Sequence, residues 1–249
     1  MTKYNELINN LEYLKLDAMR GSLSSYLDLI KDGKKSVIDA LYEMSEKEKD
    51  MRKKRAISAC VNTAGFPFIK TIDDFDFSFQ PGISKEEIMD YCSLRFIEEK
   101  ENLLFIGSSG TGKTHLATSI GIEAAKNRYS VHFMTCQDLI EQLRTAENEN
   151  RLSKRMKEIN RYKLLIIDEI GYINFDKSSA NLFFQLISKR YEQRSTIITT
   201  NQNLSKWSLT FSDPVIANAI LDRLLHHSHI INIVGPSYRT KDVLEAMEE

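Results

Sequence analysis

The glycine-rich segment GSSGTGKT at residues 107–114 constrains the fold of this chain more than any other stretch. It fits the pattern G-x-x-x-x-G-K-[ST], follows the apolar run NLLFI and precedes the helix-type run HLATSIGIEAAKNR. Small residues let backbone N–H groups approach phosphate oxygens, and the start of a helix adds partial positive charge. The alternative is a glycine-rich turn that only caps a helix. The pattern and its flanks together favour a phosphate-binding loop.

This loop also predicts which groups would hold a nucleotide and its metal ion. The Lys113 ammonium is expected to reach the β and γ phosphates, and the Thr114 hydroxyl is expected to ligate Mg²⁺. Backbone N–H groups from Gly110 to Lys113 would contact phosphate oxygens. The predicted nucleotide-binding residues are Gly107, Ser108, Ser109, Gly110, Thr111, Gly112, Lys113, Thr114 and His115.

A second motif, KLLIIDE, ends a buried strand with two carboxylates, Asp168 and Glu169. Ligands of open α/β sheets bind at the carboxyl ends of the strands. Asp168 is predicted to hold Mg²⁺ through water, and Glu169 is predicted to polarise the water that attacks the γ phosphate. The alternative is a surface acidic pair at the end of a core strand, which is common in isolation.

The residues around these motifs indicate which nucleotide is bound and how it is used. An enzyme that transfers phosphate to water needs a base at this position, and Glu169 therefore separates this chain from small-molecule kinases and GTPases. The guanine-reading motif N-K-x-D is also absent from the sequence. We therefore expect ATP. The run STIITTN ends with Asn201, which could position the attacking water, although a lone asparagine at a strand end is usually a turn residue. A metabolite kinase stays as a rival from another functional class.

Two kinds of periodicity divide the chain. Leu7, Leu11, Leu14 and Ala18 recur at helical spacing, so the first part is predicted to consist of amphipathic helices, interrupted at Gly21 and at KDGKK. From residue 102, the apolar runs NLLFIG, VHFMTC, KLLIIDE, STIITTN and IINIV alternate with helical stretches. This alternation predicts an α/β fold with a parallel sheet flanked by helices.

The domain boundaries follow from where these patterns change. The segment TAGFPFIKTIDDFDFSFQPG carries glycines, prolines and an acidic cluster that break the helical pattern. We predict an N-terminal helical domain over residues 1–64 that binds DNA or a partner. A linker and entry to the core would span 65–101, and the ATPase domain would span 102–249.

Composition adds limits on location and partners. Lys+Arg 34 against Asp+Glu 35 makes the chain nearly neutral, so an anionic partner must meet a local patch. Three widely spaced cysteines without a CxxC fit buried thiols in a reducing compartment better than disulfides or zinc. The N-terminus has no apolar signal core, and no apolar run approaches the roughly 20 residues of a membrane span. These features predict a cytoplasmic protein.

Taken in order, the phrases GSSGTGKT, LLIIDE, TTN, DPVIANAILDRLLHHSHIINI and GPSYR resemble the IstB-like transposition helper ATPases. These are relatives of the DnaC helicase loaders in the initiator group of AAA+ proteins. The resemblance covers nearly the whole chain, including YLKLDAMR and FPFIKTIDDFDFSFQP. The loop has Ser108 and Ser109 where the family often has proline, which affects no phosphate contact because the backbone makes those contacts.

The resemblance implies an activity, partners and three further site residues. It implies an ATP- and Mg²⁺-dependent ATPase that forms a homo-oligomer on double-stranded DNA and assists a transposase. The alternative is a DnaC-like loader that binds a replicative helicase. By the same resemblance Asn201 corresponds to the sensor-1 residue, Arg223 to the arginine finger and Arg239 to sensor 2. The planar guanidinium of an arginine presents donors that match phosphate oxygens, but Arg223 could also be an ordinary surface residue or pair with Asp222.

The phrase HHSH at residues 226–229 raises the question of a metal site. Consecutive His226 and His227 are expected to point to different sides of a helix, and no cysteine or carboxylate stands at ligand spacing near them. The sequence therefore predicts that these histidines pack or form hydrogen bonds beside Arg223 and do not bind metal.

Two basic clusters are candidates for contact with the DNA backbone. One lies in KEKDMRKKR of the N-terminal domain and the other in RLSKRMKEINRYK, between the second and third predicted strands. Without a groove-reading motif, we expect largely sequence-independent binding. The alternative for each cluster is a solvated helix face. The candidate residues are Arg52, Lys53, Lys54, Arg55, Arg151, Lys154, Arg155 and Lys157.

Overall fold

Five strands form one sheet in the spatial order β2-β3-β4-β1-β5, and every neighbouring pair is parallel. The computed structural model describes residues 2–240, so residues 241–249 of the predicted ATPase domain lie outside the described part. The strands are β1 (Asn102–Gly107), β2 (Val131–Thr135), β3 (Leu164–Ile170), β4 (Ser195–Thr200) and β5 (Ser228–Ile233). The five predicted strands and the α/β class are confirmed.

The central strands are buried along their length because helices cover both faces of the sheet. Leu103, Leu104 and Phe105 of β1 have no exposed surface, and the same is true of the apolar part of β3. A continuous apolar run, without alternation, is typical of parallel strands that are covered on both faces. Two apolar clusters, one against each face, complete this core.

Eight helices accompany the sheet within the described residues of this part of the chain. Helix α6 follows the glycine-rich loop directly, and α7 and α8 both lie between β2 and β3. Helices α9 and α11 pack against each other. The bounds are α4 (Lys85–Tyr91), α5 (Arg95–Glu98), α6 (Lys113–Lys126), α7 (Cys136–Asn148), α8 (Leu152–Asn160), α9 (Lys177–Arg190), α10 (Trp207–Thr210) and α11 (Pro214–Leu225).

The N-terminal part consists of three helices, α1 (Lys3–Tyr13), α2 (Asp17–Lys31) and α3 (Val37–Thr63). Its small core contains Leu11, Leu23, Tyr26, Ala40 and Met44. The predicted helices are present, and Leu11 is buried, but Leu7 and Leu14 of the predicted apolar face are exposed. The break predicted at KDGKK is present between α2 and α3.

The break predicted at Gly21 is wrong, because Gly21 lies inside α2. The buried Glu48 carboxylate accepts hydrogen bonds from the N–H groups of Ala18 and Met19, at 2.8 and 3.3 Å. These are unpaired donors of the first turn of α2, and an acceptor there stabilises the helix start. The cost of one glycine, roughly 1 kcal/mol, does not end a helix that is held in this way.

By Cα proximity the chain divides into two compact units, Met1–Ala59 and Cys60–Glu249. Residues from the segment predicted as a linker, among them Ile72, Ile88 and Phe96, are buried in the core of the second unit. The predicted boundaries at residues 64 and 101 stay predictions. Within residues 2–240, none of the helices is both long and apolar enough to cross a membrane.

Candidate functional site

The glycine-rich loop between β1 and α6 requires glycine at two positions. Gly110 and Gly112 have φ of 79° and 95°, a region that side chains disfavour. A Cβ on Gly110 would overlap the Ser237 side chain, and a Cβ on Gly112 would lie 2.5 Å from the Phe75 ring. Two segments distant in sequence therefore pack closely against this loop, and any side chain at these glycines would displace them.

The side chains at the start of α6 and the end of β3 meet beside the loop. The Thr114 hydroxyl lies 3.0 and 3.1 Å from the two oxygens of the buried Asp168 carboxylate. The Lys113 ammonium donates to the Ser108 carbonyl at 2.6 Å. Burial raises the pKa of Asp168, against the opposing effect of its hydrogen bonds with Thr199 and Thr114. Burial also lowers the pKa of Lys113, while the Asp168 charge opposes that effect.

Glu169 leaves the regular path of β3. Its φ is 64°, and the register between β3 and β4 shifts between Ile167 and Ile170. Such a bulge changes the direction of a side chain, and Glu169 is exposed and lines the pocket while Asp168 is buried. The two adjacent carboxylates therefore have different surroundings.

The hydroxyl of Thr199, a residue that was not predicted from the sequence, forms hydrogen bonds at both Asp168 and Glu169. The Thr199 hydroxyl accepts from the Glu169 N–H at 3.0 Å and donates to an Asp168 oxygen. Thr199 lies on β4, two residues before Asn201, which follows the end of this strand. That spacing was the available signal in the sequence.

The loop, Glu169, the end of β4 and residues from the segments 68–80 and 238–239 surround one pocket of about 250 Å³. Aromatic rings of Phe68, Phe75 and Tyr238 contribute to its wall, which the sequence analysis did not foresee. The predicted residues that line it are Ser109, Gly110, Thr111, Gly112, Lys113, Thr114, His115, Glu169, Asn201 and Arg239.

Of the remaining loop residues, Gly107 ends β1 and pairs with Ile233 of β5. The Ser108 carbonyl also accepts from the Thr111 hydroxyl, at 2.9 Å. The His115 ring nitrogen Nε2 lies 3.0 Å from the Thr71 carbonyl oxygen, and burial lowers the pKa of this histidine.

Arg223 is not among the residues of the described chain, 2–240, that line this pocket. It lies near the end of α11, where its Nη1 donates to the Ala219 carbonyl at 2.9 Å. The centre of its guanidinium lies 4.7 Å from the centroid of the Phe184 ring of α9. A role for Arg223 in phosphate chemistry would therefore require a second copy of the chain or a rearrangement of its own.

The surroundings of the histidines differ from what the sequence suggested. The rings of His226 and His227 face each other with centroids 4.1 Å apart, and the Glu192 carboxylate lies beside both. The expectation that the two rings point to different sides of a helix is wrong. Glu192 is distant in sequence, so ligand spacing could not reveal it. The expected hydrogen bonding is present, since His226 Nδ1 lies 2.7 Å from the Tyr191 hydroxyl.

The basic cluster of α3 is divided between ion pairs and exposed lysines. Arg52 pairs with Glu48 at 3.2 Å, and Arg55 pairs with Asp17 at 2.8 Å. Lys53 and Lys54 are exposed.

The cluster between β2 and β3 forms a helix, α8, with the same division. Arg151 pairs with Glu149 and Arg155 with Glu158. Lys154 and Lys157 are exposed, and neither ammonium has an ion-pair partner among residues 2–240.

A glycine-rich loop after β1, two carboxylates on β3, which β4 separates from β1, and this parallel strand order define a P-loop nucleotide-binding protein of the AAA+ class. The chain belongs to the IstB-like ATP binding protein family, whose sequence model matches residues 9–246.

Two of the similar proteins come from insertion sequences. The chain is 52% identical over 239 residues to a protein of insertion sequence IS232 in Bacillus thuringiensis subsp. berliner that is named for ATP binding, with 96% of each chain covered. It is 38% identical to the corresponding protein of IS21 in Pseudomonas aeruginosa, over 97% of this chain and 91% of that one. The resemblance found in the sequence is confirmed.

Solved structures show the same fold. The DnaC helicase loader matches with a TM-score of 0.53 and 24% identity, over 70% of this chain and 98% of that one. DnaI matches with a TM-score of 0.55 and 23% identity, over 67% of this chain and 89% of that one. At this level of identity the likeness concerns the fold alone.

Proposed function

We propose that this protein hydrolyses ATP with Mg²⁺, assembles on double-stranded DNA and assists the transposase of an insertion sequence. The pocket lined by Lys113, Thr114 and Glu169, with Asp168 hydrogen-bonded to Thr114, supports the hydrolytic part of this proposal. Membership of an ATP-binding family and relatives from insertion sequences support the remainder.

The residues around Asp168 fit a hard divalent cation. A hydroxyl and a carboxylate that lie 3.0 Å apart in a buried position supply oxygen donors, which Mg²⁺ prefers. Bound Mg²⁺ would neutralise charge on the phosphates. Thr114 and Asp168 would hold it, Asp168 through water, while Lys113 would contact the phosphates from the start of α6.

Glu169 is suited to act as the base. It is exposed to the pocket, and the Thr199 hydrogen bond to its N–H fixes the backbone that carries it. The water oxygen would attack the γ phosphorus while the bond to the bridging oxygen of the β phosphate breaks. The proton of that water would pass to the Glu169 carboxylate, and Asn201 would orient the water from the end of β4.

We expect Glu169→Gln to bind ATP normally and to hydrolyse it slowly, because the amide cannot accept the proton. A loss of about 10² or more in the single-turnover rate is expected, the range for removal of a general base. Fluorescent-nucleotide binding and phosphate release measure the two properties. Glu158→Gln, at the surface of α8, is the control. Turnover at the wild-type rate by Glu169→Gln would show that another group is the base.

The proposed assembly is tested by particle size. We expect the protein to form larger particles with ATP and duplex DNA together than with either one alone, measured by light scattering after size exclusion. Particles that stay monomeric under every condition would contradict the assembly part of the proposal. Hydrolysis would then be judged separately by the Glu169 experiment.

DNA contact is assigned to the exposed lysines of α8. The double change Lys154→Ala and Lys157→Ala should weaken binding about equally for unrelated duplexes. It should also flatten the slope of log affinity against log salt by roughly 0.9 for each phosphate that a lysine no longer neutralises. Anisotropy titrations at several salt concentrations measure this slope. ATP hydrolysis without DNA should not change.

Lys53→Ala with Lys54→Ala in α3 is the matched comparison, since these lysines are equally exposed. An unchanged salt slope for the α8 variant, with a changed slope for the α3 variant, would move the DNA-binding surface to the N-terminal unit. Weaker binding to one DNA sequence alone would contradict a backbone interaction, because phosphates carry no direct base information.

Capture experiments separate the proposed partner from its rivals. Tagged protein with ATP should retain the transposase of the same insertion sequence and should not retain a replicative helicase. Retention of the helicase alone would favour the loader function. Hydrolysis stimulated by a small metabolite and not by DNA would favour a kinase-like function.

A further inference from the structure

Helices α9 and α11 end beside each other, and the residues that follow them carry metal-ligand side chains. Glu192 comes two residues after the end of α9, and His226 and His227 follow α11 directly. The Glu192 carboxylate lies 3.9 Å from His226 Nδ1 and 3.7 Å from His227 Nε2. One ligand atom from each of the three residues lies within 4.8 Å of the others, and all three residues are exposed.

These distances are close to those that a metal ion would require. Tetrahedral bonds of about 2.0–2.1 Å place neighbouring ligand atoms about 3.3 Å apart. The two distances to Glu192 would therefore have to shorten by only about 0.5 Å. Because the three side chains are exposed, rotation about their own bonds can supply this movement without any change in the core.

The surroundings also favour a cation. The carboxyl end of a helix carries partial negative charge, and here two such ends, those of α9 and α11, come together. The Tyr191 hydroxyl lies 2.7 Å from His226 Nδ1, the nitrogen that would bind the ion, so it would have to release this nitrogen when metal binds. It also interacts with Glu192, so it would then be free to donate a hydrogen bond to that carboxylate from outside the coordination shell. Asp222 and Arg223 act on Tyr191 with opposite charges.

We propose that Glu192, His226 and His227 form a binding site for a first-row transition-metal ion such as Zn²⁺, with water at the fourth position. Two imidazoles and one carboxylate suit Zn²⁺, Co²⁺ or Ni²⁺, whereas Mg²⁺ and Ca²⁺ prefer oxygen ligands. A metal held there joins the end of α9 to the end of α11, three residues beyond Arg223. The site is separate from the nucleotide pocket.

The test is a Co²⁺ titration of the full chain without a polyhistidine tag, in excess Mg²⁺, followed by visible absorption. We expect one equivalent to bind with d–d bands of a four- or five-coordinate ion, and Zn²⁺ to displace it. Removal of a group that only supports a ligand typically weakens metal binding 10- to 100-fold, so removal of a ligand itself should weaken it at least about tenfold. Glu192→Gln and His227→Ala should each show this effect.

His229 provides a matched control. It belongs to the same HHSH phrase and pairs with a carboxylate, Glu101, at 2.9 Å, but it lies on β5 and not in this cluster. His229→Gln should bind Co²⁺ as the wild type does. Equal affinity in wild type, Glu192→Gln and His227→Ala would overturn the proposal, as would intense thiolate charge-transfer bands, which would place the ion on a cysteine. Thermal unfolding without metal confirms that each variant is folded.

Discussion

Replacement of Lys113 by alanine should give a folded protein that has lost nearly all of its affinity for ATP. The substitution removes the side-chain cation of the loop, which is expected to interact with both the β and γ phosphates. A charge-assisted hydrogen bond contributes about 1.5–3 kcal/mol, so removal of two such bonds corresponds to roughly 10²–10⁴ in Kd. Isothermal titration with a non-hydrolysable ATP analogue measures this change directly.

The fold should survive this substitution, because Lys113 lines the pocket and is not packed among the apolar side chains of the core. Lys126→Ala is the control, since Lys126 is an exposed lysine at the other end of the same helix. It should bind ATP as tightly as the wild type. A folded Lys113→Ala protein with wild-type affinity would show that the loop is not the nucleotide site.

Removal of the Arg223 guanidinium should abolish most hydrolysis while leaving ATP binding intact. An arginine that stabilises transition-state charge on phosphate contributes 10³ or more to the rate, so Arg223→Ala should slow hydrolysis by a factor on the order of 10³. Arg223→Lys should not restore the rate, because an ammonium lacks the planar fork. Arg223→Ala also removes the cation–π interaction with the Phe184 ring, worth about 0.5–1 kcal/mol, so thermal unfolding must accompany the rate measurement.

Mixing two inactive variants tests whether Arg223 acts across a subunit interface. Arg223→Ala subunits keep the pocket intact, and Lys113→Ala subunits keep the arginine intact. Co-assembled particles should recover part of the ATP hydrolysis, because some interfaces would combine one intact pocket with one intact arginine. Absence of recovery in particles shown to contain both variants would mean that Arg223 acts within its own subunit or only supports the fold.

The parts of the fold that the sequence predicts are those that depend on neighbouring residues. The apolar runs of β1 and β3 are long enough to indicate buried parallel strands, and the order of strands and helices implies crossovers. Gly21 shows the limit of this reasoning. Its local preference disfavours a helix, but Glu48 holds the start of α2 from 30 residues along the chain. Tertiary contacts of this kind leave no local pattern.

The candidate site shows the same division between local and distant information. The loop and the pair Asp168 and Glu169 follow from local spacing, since their chemistry depends on one turn and one strand end. The aromatic wall, the Thr199 hydroxyl and the position of Glu192 beside two histidines result from contacts between distant segments. The sequence contains these residues but not the information that they lie together.

The close packing of two distant segments against the glycine-rich loop has a further consequence. The Gln80 amide donates to the Pro236 carbonyl at 2.7 Å across 156 residues, and the Tyr238 N–H donates to the Gly110 carbonyl at 2.9 Å. Two segments of the second unit that are far apart in the sequence, around Gln80 and around residues 236–238, are thus held together beside the pocket. A premature stop codon after Val234 would remove Pro236 and Tyr238. Both hydrogen bonds that hold these segments beside the pocket would then be lost.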